Sequence, residues 1–239
     1  MKHILFPSKM KQNRNVDNNL NPKSIIIRNF KEKDIPQIVQ LQRKSFADMA
    51  KDGMIFPSSY LQNHIEIFPD GQLLAEIDGR IVGSSSSLVI SLSPEYEEHD
   101  WFEITGNGLF SNHNASGDTL YGADLSTHPE FRNMGIGTML YDARKELAMR
   151  LNLRRILAGG RLYDYCKYSH MMSAKEFAEK VVRGELQDPV LSFQLKNGFK
   201  YIKVLPNYLL DRRSLNFASL IEWQNPTYRI VKRSKPNRV

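Results

Sequence analysis

One stretch constrains this chain more than any other: residues 119–140, TLYGADLSTHPEFRNMGIGTML. Residues 119–125 read as a strand. A polar turn follows, and Arg132-Asn133-Met134-Gly135-Ile136-Gly137-Thr138 opens a helix whose Ile136, Met139, Leu140, Ala143, Leu147 and Leu151 fall on one stripe. The first N–H groups of such a helix lack internal acceptors and sit at its positive dipole end. Two glycines at that mouth let an anion approach the backbone, Arg132 adds a guanidinium suited to phosphate, and Thr138 adds a hydroxyl. The segment therefore reads as a diphosphate site. Taken alone, the same glycines read equally well as a device for tight helix packing. A Walker loop is excluded because no lysine follows Gly137, and a Rossmann turn because Leu140 stands where its third glycine belongs.

The rest of the chain alternates element types. Residues 24–28 are a β-branched run, Lys33-Asp34 opens a helix with Pro36 in its first turn, and a second helix starts at Ser58-Ser59. Gln72–Ile77, Asp78-Gly79 and 80–82 predict a tight hairpin whose second strand continues through four serines, 84–87. Four serines make a poor core, which predicts one open or ligand-facing side there. Residues 93–118 read as an elaborated loop, acidic at Glu95, Glu97, Glu98, Asp100 and Glu103. Residues 154–158 predict a strand ending at Gly159-Gly160, and 173–184 a helix with a Ser173/Glu176 capping box. Residues 189–196 predict a helix stopped by Asn197-Gly198, with 201–205 and 217–223 as closing strands. Elements in this order read as a single mixed α/β domain over 24–226.

Charge narrows the function. The chain carries 33 Lys+Arg against 26 Asp+Glu, a net +7. Residues 1–23 hold +4 and 227–239 hold +5, so the body has 23 basic against 25 acidic residues. The two ends read as a flexible basic lead and a basic tail, and the near-neutral body argues against nucleic-acid binding. No apolar run reaches the ~18–20 residues of a membrane span, and Ile4-Leu5-Phe6 is too short for a signal-peptide core; the expected location is cytoplasmic. Cys166 stands alone, which excludes a disulfide framework, and the six histidines lack metal-ligand spacing, so no metal is expected.

Leu125-x-x-His128-Pro129-Glu130-Phe131-Arg132-x-x-Gly135-x-Gly137 resembles the signature of the GNAT N-acetyltransferases, Arg/Gln-x-x-Gly-x-Gly/Ala after a strand and a Pro-x-x-Arg turn. Residues 191–199 resemble that family's later helix with its Gly-Phe step, and the element order from 24 to 226 agrees. The resemblance implies the acyl-CoA N-acyltransferase fold, a mixed, mostly antiparallel central sheet flanked by helices. It implies acetyl-CoA as co-substrate, with Leu125, Ser126 and Thr127 holding the pantetheine and acetyl carbonyl. Arg132, Asn133, Met134, Gly135, Ile136, Gly137 and Thr138 would hold the pyrophosphate, and the acetyl group would pass directly to a primary amine of a small molecule or protein. A narrower likeness, carried by 172–176, 181–186 and 204–209, is to the GNAT module that elsewhere precedes a nitrilase-like carbon–nitrogen hydrolase domain. The chain ends soon after Trp223 and Pro226, so any hydrolase is expected on a separate chain.

Many family members carry a tyrosine four residues before the glycine of the Gly-Phe step, and here Gln194 stands there. Glutamine cannot act as an acid, although a thiol pKa of roughly 8.5 makes the thiolate a workable leaving group without one. Gln194 or Ser192 could instead hydrogen-bond the sulfur, and Tyr163, Tyr165 and Tyr168 are substitutes for the missing tyrosine. Asp124 is a candidate base, on the strand face opposite Tyr121 and Ala123, and reads equally as a structural carboxylate capping the turn or pairing with Arg132. Tyr121 and Glu103 complete the catalytic candidates. Trp101 and Trp223 read as core or homodimer contacts. The rival class is a non-catalytic acyl-CoA-binding regulatory module, which the missing tyrosine would permit.

Overall fold

The computed structural model describes residues 24–51, 53–92 and 96–230, and the backbone of 4–5. Most of the basic lead and basic tail, and Glu95, lie outside the described residues. Eight strands form one sheet in the order β1-β2-β3-β4-β5-β6-β8-β7. They are β1 (Ile4–Leu5), β2 (Ile26–Asn29), β3 (Gln72–Ile77), β4 (Arg80–Ile90), β5 (Thr119–Thr127), β6 (Arg155–Arg161), β7 (Lys200–Leu205) and β8 (Ala218–Gln224). Every pairing is antiparallel except β5 with β6. Asp78 and Gly79 both have positive φ, the conformation that joins β3 to β4 in a two-residue turn.

Helices cover both faces. On one lie α1 (Ile35–Ser45), α2 (Ala47–Lys51), α3 (Ser58–Ile67) and α4 (Trp101–Thr105); on the other lie α5 (Ile136–Arg150), α6 (Ala174–Val182) and α7 (Leu191–Lys196). Alternation along the strands sends Leu74, Leu88, Tyr121 and Leu157 to the first core and Val89, Leu120, Ile156 and Ile221 to the second. Each buried aliphatic side chain contributes about 1.5–3 kcal/mol. Ser173 and Glu176 form the capping box that starts α6. Among the described residues no helix is long and apolar enough to cross a membrane.

Three local expectations are corrected. The loop 93–118 contains α4, with Asp100 Oδ1 accepting the Glu103 N–H at 2.7 Å as its cap. Ser84–Ser87 have no open side: all four are buried, and Ser84 Oγ meets Ser126 Oγ at 2.8 Å. Small side chains bring this strand close to α5, since a Cβ on neighbouring Gly83 would fall 2.6 Å from Ile136 Cγ2. Strand β6 does not end at Gly159-Gly160 but runs through them to Arg161, paired with β8. Those glycines are needed for space, because a Cβ at 159 would collide with the Tyr208 ring and one at 160 with the Gln194 amide.

Candidate active site

Strands β5 and β6 pair from Thr119↔Arg155 to Gly122↔Ala158 and then part. Beyond that point β5 stays with β4 as far as Thr127↔Gly83, while β6 stays with β8 as far as Arg161↔Ala218. One backbone edge of 123–127 is thereby released from strand pairing. A cavity of about 410 Å³ passes through the gap, reaching Tyr141, Phe193 and Gln194 on the α5–α7 face and Phe56, Trp101 and Tyr208 on the α1–α4 face. Trp101 Nε1 donates to the Ala123 carbonyl at 3.1 Å and Ser45 Oγ to the Thr127 carbonyl at 3.0 Å.

Asp124 stands at the opening. The β4–β5 register shifts there, Ser86 facing Asp124 and Ser87 facing Gly122, so a bulge at Ala123 interrupts simple alternation. Burial pushes the Asp124 carboxyl up to about 7, against the pull of Arg144 and of the Leu125 N–H, both of which favour the anion. Its Oδ2 is buried with no hydrogen-bond partner. The cation beside it is Arg144 of α5 rather than Arg132. Arg144 Nη2 donates to the carbonyls of Asp124 at 2.7 Å and Ser86 at 3.2 Å, and burial lowers the guanidinium pKa. Gly122 makes room for it, since a Cβ there would sit 2.7 Å from Arg144 Nη1.

The other catalytic candidates separate. Gln194 reaches the cavity from α7, buried, with Oε1 unpartnered. Tyr121 is sealed beneath the wall, and its hydroxyl lies 2.9 Å from that of Tyr208 and 3.0 Å from His99 Nε2. Tyr208, not Tyr121, faces the cavity. Burial raises both tyrosines, Tyr121 well above the usual range, and lowers His99. Glu103 is exposed on α4 and lines no part of the cavity. Ser192 Oγ accepts the Asp188 N–H at 3.1 Å at the start of α7 instead of facing the gap. Tyr165 bonds the Met172 carbonyl, and Tyr163 lies under Arg213 at 3.9 Å; neither they nor Tyr168 line the cavity.

At the helix mouth, Asn133 and Gly135 take positive φ, 64° and 80°, and residues 132–135 and Thr138 are exposed. The two readings of the glycines divide between them. A Cβ at Gly135 would meet nothing within 4 Å, so that position is open to a ligand and needs glycine for its backbone. A Cβ at Gly137 would lie 2.7 Å from Phe193 Cζ, so Gly137 serves packing against α7. Leu125 borders the cavity, whereas the Ser126 side chain is spent on Ser84. Sequence reasoning missed Arg144 and Tyr208. Arg144 left a trace, a charge on the Ile136–Leu140–Leu147 stripe; Tyr208 left none, because its role depends on a fold-back from β7.

Residues 35–164 match the model of the Acetyltransferase (GNAT) family. Two Bacillus subtilis (strain 168) proteins are similar. "Probable hydrolase YhcX" is 45% identical over 207 residues, and the chain spans 86% of itself but only 40% of that relative. "Uncharacterized N-acetyltransferase YkwB" is 40% identical over 206 residues, covering 86% of this chain and 91% of the other. Among solved structures, the GphF GNAT-like decarboxylase in complex with isobutyryl-CoA superposes with a TM-score of 0.68 at 19% identity, covering 83% of this chain and 98% of that one; at that identity the likeness is one of fold. The family match takes in the parting strand, the turn and the helix mouth described above, and extends over more than half the sequence, so the chain belongs to the GNAT acetyltransferase family.

Proposed function

We propose that the chain transfers an acetyl group from acetyl-CoA directly to a primary amine. The observation that carries this reading is the parting of β5 and β6 after Gly122, which puts a released backbone edge and a buried carboxyl at one cavity. The residues fit the co-substrate: Gly135 opens onto free space, and two unpartnered buried oxygens, Asp124 Oδ2 and Gln194 Oε1, border the gap. The side chains of Arg132 and Thr138 and the main-chain N–H groups of Asn133, Met134, Gly135, Ile136 and Gly137 hold the pyrophosphate. The main chain of Leu125, Ser126 and Thr127 holds the pantetheine. Acetyl-CoA supplies the activated acetyl group; the protein supplies position and a proton acceptor.

Asp124 takes the proton from the attacking amine while the nitrogen bonds the acetyl carbon and the carbon–sulfur bond breaks. The thiolate leaves unprotonated, which its pKa of roughly 8.5 tolerates, and Gln194 can donate a hydrogen bond to it. Because burial sets Asp124 near 7, its basic form fills as pH rises through that value, and the rate rises with it. Tyr208, held by Tyr121, which His99 holds in turn, positions the acceptor.

Gln194 in place of the family tyrosine favours the rival reading, acyl-CoA binding without transfer; Asp124 and Tyr208 at the cavity weigh against it. Release of free CoA across an amine panel decides the matter, and tight acetyl-CoA binding with no turnover of any amine overturns the transferase reading. The same reading places the protein in the cytoplasm, tested by cell fractionation. The partial coverage of YhcX supports a module that also occurs joined to further sequence, and a hydrolase on another chain is tested by co-purification.

A further inference from the structure

The half of the cavity on the α1–α4 face lies across the sheet from the helix mouth proposed for the coenzyme, and its walls differ from what the acidic run at 95–103 suggests. Phe46, Met54, Phe56, Trp101, Phe102 and Leu209 line it. Among the described residues, the charged groups lining the whole cavity are Asp124, Arg144 and Arg161. Arg144 is spent on the carbonyls of Ser86 and Asp124. Arg161 lies 3.1 Å from Asp211 and 3.4 Å from Asp48, with its guanidinium carbon 5.2 Å from the Tyr163 ring centroid, so its charge is matched by two carboxylates. Glu97, Glu98, Asp100 and Glu103 line no part of it.

This distribution selects by chemistry. A polyamine needs a carboxylate for each ammonium it desolvates, and one carboxyl faces the gap. An acceptor carrying its own carboxylate meets an arginine already paired twice. A hydrocarbon body, by contrast, gains about fourfold in affinity for each methylene it buries. The volume also suits a small molecule: about 410 Å³ serves both the thioester end and the acceptor, while a benzene-sized guest fills a cavity of roughly 150 Å³. Apolar walls further disfavour the ammonium form, so the amine enters neutral with its ammonium proton left to solvent, and Asp124 takes the second proton as the amide forms.

We propose that the acceptor site takes a small primary amine with an apolar alkyl or aryl body, its nitrogen at Asp124 and its hydrocarbon against Phe56, Trp101 and Leu209. This rests on the N-acetyltransferase reading, so binding and turnover are measured separately. The full-length protein is titrated at pH 8 with n-butylamine, n-hexylamine, 2-phenylethylamine, ethanolamine and spermidine. Trp101 fluorescence reports binding, Trp101→Phe serves as its control, and CoA release reports turnover. The apolar amines should give a saturable fluorescence change that is absent in Trp101→Phe, and KM should fall roughly sixteenfold from butylamine to hexylamine. Leu209→Asp should raise the hexylamine KM about tenfold or more and leave the acetyl-CoA KM unchanged. Saturable binding of apolar amines without CoA release upholds the site and overturns the transferase reading it rests on. Spermidine or ethanolamine matching hexylamine in kcat/KM, or no fluorescence response to any apolar amine, overturns the proposal.

Discussion

The two halves of the cavity are built in opposite ways. On the proposed coenzyme side, one continuous segment, 125–138, supplies main-chain groups exposed by a strand parting and a helix beginning, and of that segment Leu125 lines the cavity. The proposed acceptor half is assembled from side chains of four distant segments, at 42–60, 101–102, 161 and 208–209. Main-chain recognition needs only a few backbone conformations, such as the positive φ of Gly135, and leaves the Ser126 side chain free to bond Ser84. Side-chain recognition has no such economy: each wall residue matters, and none is near the others in sequence.

Asp124 lies where the halves meet, so its removal should have the largest effect. Asp124→Asn should lower kcat about 10²–10³-fold, erase the rise of rate through about pH 7, and leave acetyl-CoA binding intact. The same variant should gain stability. The folded state holds this proton more tightly than the unfolded chain, so wild-type stability falls as pH rises from the ordinary carboxylate range to about 7. Thermal melts should therefore show Asp124→Asn above the wild type at pH 8 and level with it at pH 4. A variant that melts lower at pH 8 would show the ionised carboxylate to be structural.

On the coenzyme side, Arg132→Ala should raise the acetyl-CoA KM roughly tenfold with little change in the amine KM, as expected for loss of one charged hydrogen bond to phosphate. Equal changes in both constants would mean that the halves are not independent. Across the gap, Gly159→Ala forces a Cβ into the Tyr208 ring and should cost about 1–3 kcal/mol, read as a lower Tm, with the amine KM rising more than that of acetyl-CoA. Smallest is Glu103→Gln, which should change kcat/KM less than twofold, because the side chain stands in solvent outside the cavity. A tenfold loss there would move the acceptor path to the outer side of α4.

Legibility followed the same division. The Asp78-Gly79 hairpin, the helix from Ile136 and the capping box at Ser173 were readable because each follows from neighbours along the chain. The burial of Ser84–Ser87 was not, since it depends on α5 lying close above β4. Nor was the environment of Asp124: a bulge at Ala123 and Arg144, twenty residues on, decide what surrounds it.

Local order alone settled that a strand would lead through a polar turn into a glycine-marked helix start, since backbone conformation and helix dipoles act over a few residues. What only the tertiary structure decided was which carboxyl is desolvated, which arginines are already paired and which rings wall the cavity. Burial and through-space charge depend on segments that share no sequence proximity, and packing brings them together.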